Sequence, residues 1–192
     1  MKKVKLFISL LAVLLLIGCS SKGTENQVKS LEYEDFSFYD HTGREVDFLT
    51  SENNSLSVYA GDEDADSIQT YRGVRIGDRA TTALSEYNLS DFDWSIKTDY
   101  IINAEEHRAQ ANKLERKYED LTSEEMLQHI PEITAIDNMQ IIFSCDMYEY
   151  EGKLYLLYDV PRTALLSGVP KYHLSIYVKA EKISGIVISY DK

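Results

Sequence analysis

Cysteine, proline and tryptophan are scarce in this chain: two, three and one among 192 residues. Two cysteines exclude a disulfide framework and cannot make a four-thiolate zinc site. Three prolines and nine glycines exclude collagen-like and proline-rich low-complexity architectures. Basic residues are also in deficit, 20 against 32 acidic ones, for a net charge of −12. Nucleic acid and anionic head groups repel such a chain, so neither is an expected ligand. No apolar run reaches the roughly 20 residues of a spanning helix. What is present is an apolar share of 44%, ordinary for a folded protein, in a length that suits one domain.

The N-terminus reads as an address. Lys2, Lys3 and Lys5 form a basic start, and residues 6–17 are almost unbroken apolar, the pattern of a secretory signal. Leu16-Ile17-Gly18-Cys19 then resembles the lipobox of bacterial lipoproteins, in which the cysteine is diacylated and the chain is cut just before it. The resemblance implies a signal peptide over residues 1–18, lipidation with palmitate-type chains at Cys19, and anchoring to the outer face of the cell membrane. Two acyl chains suffice for stable anchoring without a basic patch. Cleavage removes three lysines and takes the net charge from −12 to −15. Only Cys145 then keeps a thiol, so the exported domain must be held by its core. Small polar residues from Ser20 to Gln27 give a tether, expected over 19–31, ahead of one domain over 32–192.

That domain reads as strands, helices, strands. Phe36 and Phe38, a turn at 41–44, then Val46 and Phe48 make a hairpin, and residues 56–59 a short strand. Asp78 is placed to cap a helix carrying Ala80, Ala83, Leu84 and Tyr87 at helical spacing. Asn103 with Glu106 forms a capping box for a second helix, whose His107, Ala111, Leu114, Tyr118 and Leu121 make one narrow stripe. Thr122 with Glu125 opens a third, expected to stop before Pro131. Ile141, Phe143, Cys145 and Met147 alternate with polar neighbours, and Leu154 to Val160 reads as an apolar central strand. Leu174, Ile176 and Val178, then Ile186, Ile188 and Tyr190, complete the set. The expectation is α+β: an antiparallel, meandering, curved sheet with two or three helices packed on one face.

Residues 72–78, Arg-Gly-Val-Arg-Ile-Gly-Asp, resemble a recurring segment of Gram-positive cell-envelope lipoproteins. The same pattern is similar to the helical start of BamE/SmpA-like outer-membrane lipoproteins and of β-lactamase-inhibitor-like domains. That likeness implies helices on a small antiparallel sheet and a binding rather than catalytic role. It carries no catalytic residue to transfer. Read from the residues alone, Gly73 and Gly77 allow positive φ, Ile76 plugs the core and Asp78 caps the helix. The competing reading is an anion site beside Arg72, Arg75 and Arg79, which Asp78 would oppose.

No constellation of residues names a reaction. Asp62, Asp64 and Asp66 have the spacing that opens calcium loops, but Ser67 and Gly73 fill the positions that need glycine and a bidentate acid. The expected role is a solvated acidic loop. His41, His107, His129 and His173 share no metal-ligand spacing. Cys145, among apolar neighbours, reads as a small hydrophobe. No phosphate loop, dinucleotide fingerprint or nucleophile elbow occurs, so no catalytic, metal or cofactor-binding residue is assigned and no cofactor is implied. Fourteen tyrosines remain, seven of them in the C-terminal strands. Tyr148, Tyr150 and Tyr177 fall opposite the apolar side of their strands, where tyrosine serves recognition. The reading is a non-catalytic lipoprotein whose Tyr148, Tyr150 and Tyr177 face meets an envelope protein or glycan; the alternative is a surface hydrolase with unassigned acids.

Overall fold

The computed structural model describes residues 30–46, 54–98 and 104–191, and within them the architecture is α+β with antiparallel strands in two sheets. Cys19, the signal segment, Phe48 and Asn103 lie outside the described residues. The larger sheet runs in the order β3 (Ser55–Tyr59), β9 (Lys182–Asp191), β8 (Lys171–Lys179), β6 (Met139–Tyr150), β5 (Asp93–Thr98). Strand β7 (Lys153–Leu156) pairs with β6 on the same edge as β5. The smaller sheet joins β1 (Phe38–Asp40) between β2 (Glu45–Val46) and β4 (Ile68–Thr70).

The expected hairpin therefore forms, but it belongs to a separate sheet, and Phe36 ends a 3-10 turn (Tyr33–Phe36) in place of alternating along a strand. The apolar strand expected through Val160 stops at Leu156. Strand β5 pairs with β6 up to Ser144 and β7 pairs from Met147, so a longer β7 would run into β5. Leu157 and Tyr158 accordingly project into solvent.

Five α-helices are described: α1 (Ala80–Leu84), α2 (Ala104–Tyr118), α3 (Ser123–Met126), α4 (Ile130–Thr134) and α5 (Arg162–Ser167). The stripe on α2 is as its spacing demands, with Ala111 and Tyr118 buried and Leu114 packed against the core. Thr122 and Glu125 make the expected capping box at α3. Pro131, expected to follow a helix, instead stands in the first turn of α4, where its missing N–H costs nothing.

Asp78 does not cap α1. The N-cap is Arg79, and the Asp78 carboxylate accepts the Arg75 N–H at 2.7 Å, closing a turn. The reason lies next door. Gly77 N–H donates to Ile183 O at 2.8 Å and Ile183 N–H donates to Asp78 O at 2.9 Å, so the segment lies against the start of β9. Gly73 and Gly77 both have positive φ, +79° and +88°. Val74 is the buried plug, whereas Ile76 is only partly covered.

One cluster of buried side chains takes in Phe36 and Phe38, helices α1 to α4, and one face of the large sheet: Ile96, Ile141, Phe143, Cys145, Leu174, Ile176, Val178, Ile186 and Ile188. Leu31, expected in the tether, is also buried, and Ser30 O accepts a bond from Arg72, so the packed domain starts slightly earlier than residue 32.

Candidate functional site

Every second residue of the large sheet points away from that cluster. Strand register then sets three rows across the second face. Tyr59, Gly185, Tyr177 and Ile142 form one; Ser57, Val187, Ser175 and Ser144 the next; Ser189, His173 and Asp146 the third. Tyr59 and Tyr177 meet edge to face at 5.7 Å and 71° directly above Gly185. A Cβ at position 185 would stand 2.5 Å from the Tyr59 ring, so the pair needs glycine beneath it. Tyr148 lies opposite Lys171 and Tyr155, and Tyr150 opposite Lys153. The three tyrosines singled out by alternation thus share one face, half-buried, with Tyr148 and Tyr150 at one end and Tyr177 nearer the other.

Between them runs a chain that sequence patterning did not reveal. Asp146 Oδ1 is 2.6 Å from His173 Nδ1, and His173 Nε2 is 2.7 Å from Ser175 Oγ. Lys171 Nζ stands 3.6 Å from the other Asp146 oxygen. The His173 hydrogen bond holds the Asp146 carboxyl below its ordinary range, with the Lys171 charge adding to it. The order acid, imidazole, hydroxyl is that of a nucleophile with its base and orienting group. Two features oppose that chemistry. Ser175 is only 5% exposed, and it lies in β8 between paired neighbours on both sides, whose ladders use the backbone N–H groups an oxyanion would need. What the arrangement does supply is a fixed imidazole and a fixed carboxylate on an open surface.

The grooves lie elsewhere. A 680 Å³ groove between β5 and α2 is lined by Asp93, Trp94, Glu115, Arg116 and Glu119 among others. Its Glu115 is spent on the strand edge, accepting the Ile96 N–H at 2.9 Å, and Trp94 Nε1 donates to Leu121 O at 2.8 Å. A 430 Å³ groove borders Arg72, Asp78, Arg79 and Glu86. Arg72, offered above as part of an anion site, instead forks onto Asp35 at 2.6 and 2.7 Å and lies over the Tyr87 ring at 4.9 Å. Arg75 donates to Gln69. Asp62 accepts the Tyr59 N–H in a turn, and no three His, Cys, Asp or Glu among the described residues could hold a metal ion. Cys145 is buried, and burial pushes its thiol up, which keeps it protonated.

Comparison with protein families, curated proteins and solved structures finds no match to this chain.

Proposed function

We propose that this protein is a lipoprotein held by Cys19 on the outer face of the cell membrane, and that it binds an envelope protein or glycan through the second face of its large sheet. The observation that carries the reading is that face itself: Tyr59 and Tyr177 packed edge to face over Gly185, Tyr148 and Tyr150 beyond them, and the Asp146–His173 pair between. Aromatic rings flanked by fixed polar groups supply contact area at low entropic cost, which suits recognition. The anchor rests on residues 16–19 and the short apolar run before them.

Two measurements test the two halves. Radiolabelled palmitate should enter the wild type and not Cys19→Ser; an unlabelled wild type sinks the anchor. Crosslinking in the intact envelope should capture a partner whose yield falls with Tyr177→Ala and not with substitutions on α2.

A surface hydrolase is the second reading, favoured by the Asp146–His173–Ser175 chain alone. A fluorophosphonate that labels the wild type but not Ser175→Ala would establish it.

A further inference from the structure

The excursion between β7 and β8 carries the three most exposed large apolar side chains among the described residues: Leu157 at 55%, Tyr158 at 76% and Leu166 at 84%. Val160 and Ala164 are buried, so the excursion is fixed to the domain while those three face outward. Single exposed leucines are ordinary, but three in ten residues of one excursion are not.

The place of the excursion in the fold says what it meets. Its first end leaves β7 at Leu156, opposite Met147, and its second returns at Pro170, whose O accepts the Glu149 N–H at 2.9 Å. Met147 pairs with Tyr172. Tyr33, near the start of the described chain, packs edge to face on Tyr172 at 5.7 Å. The N-terminal chain therefore enters at the same end of the sheet as the excursion. Ten residues lie between Cys19 and Ser30, so the acyl anchor stays within at most about 40 Å of the point where the chain enters this end. The charges around it are mixed: Lys153 and Arg162 stand with Asp159, and Lys171 lies 3.6 Å from Asp146 and 3.9 Å from Asp191, so apolar contact rather than charge would hold the excursion to a bilayer.

We infer that Leu157, Tyr158 and Leu166 form a membrane-contacting lip, which enters the head-group region beside the acyl anchor and orients the domain. The inference rests on the lipoprotein reading above. An exposed tyrosine between leucines is a composition that favours a bilayer interface. Orientation follows: Tyr148 and Tyr150 lie near the membrane, and the Tyr59–Tyr177 pair lies farther from it, toward an approaching partner.

The test uses the mature lipidated protein in vesicles of phosphatidylcholine and phosphatidylglycerol at a ratio of about 7:3. Cys19 is acylated there and Cys145 is buried, so Leu166→Cys, Tyr158→Cys or Lys182→Cys each offers one accessible thiol for an environment-sensitive dye. Dyes at 158 and 166 should shift to the blue and be quenched by lipid-borne nitroxides. A dye at Lys182, at the opposite end of β9 from Asp191, should stay in water and be quenched by iodide. Water-like emission at all three positions, in protein that takes up palmitate, overturns the lip and leaves the anchor standing. Absence of palmitate overturns both. Shielding from iodide without nitroxide quenching means that a protein, not lipid, covers the excursion, and it too overturns the inference.

Discussion

Phe143 and Ser144 are neighbours in one strand, and they belong to two different materials. Phe143 and its row mates Ile176, Ile186 and Val58 are buried in the core cluster with α1 to α4. Ser144 lies in a row with Asp93, Ser175, Val187 and Ser57, polar but for the one valine. Two of the ionic clusters divide the same way. Asp35, 0% exposed, is locked to Arg72 on the core side, whereas Asp146, His173 and Lys171 meet on the second face, each partly in water. Alternation thus separates stability from availability. The first face is sealed in the core, and the second, Gly185 and Ser175 apart, is expected to tolerate substitution.

Substitutions should respect that division, and the largest effect is expected on the first face. Phe143→Ala removes a ring from a fully buried site and should cost about 3–5 kcal/mol in denaturant melts. A midpoint close to wild type would mean that the helices do not seal this face. Next comes Arg72→Ala, which strands the Asp35 carboxylate without its partner; a loss of about 3 kcal/mol is expected. Lys171→Ala, breaking the half-exposed counterpart, should cost under about 1 kcal/mol. Equal losses would erase the contrast between the clusters.

Gly77→Val tests the seam where residues 77 and 78 pair with Ile183. At φ +88° a β-branched side chain is strained even with open space around it, so a loss above about 1 kcal/mol is expected. Smaller still is Tyr148→Ala, under about 1 kcal/mol, with Tyr150→Ala less again. Both should nevertheless lower partner capture from the envelope. Tyrosine variants that unfold would show that the second face is also packed; stable variants with undiminished capture would remove it as the binding surface.

Much of the fold was legible because it follows from local periodicity. The alternation of residues 139–147, 174–178 and 186–190 and the Thr122–Glu125 box all depend on neighbours a few positions apart. What was not legible depends on register between distant strands. Residues 154–160 are apolar enough for a strand, yet β5, some sixty residues earlier, already holds that edge of β6. Asp78 has the chemistry of a cap, but pairing with Ile183 turned it to Arg75. Of the site, the tyrosine face followed from parity alone. His173 and Ser175 stand two apart and so share a face, a signal that was there to use, but that Asp146 meets them depends on the β6–β8 pairing across the β7 and α5 excursion.

The smallest effect is expected from the titration of Asp146, and it bears on whether the second face adds any stability at all. Its carboxyl is held below the ordinary range, first by the His173 hydrogen bond and then by nearby positive charge. A group whose folded pKa is depressed stabilises the native state above its unfolded value, and the contribution disappears as pH falls through the folded one. Wild type should therefore exceed Asp146→Asn by the most above the ordinary aspartate range, with the gap closing as the pH falls below it. Because the carboxylate is partly exposed, added salt should narrow the gap as well. Paired melts across that range, at low and high salt, read both effects. A gap that widens on acidification would mean that Asp146 is protonated in the folded state and does not serve as the acceptor for His173.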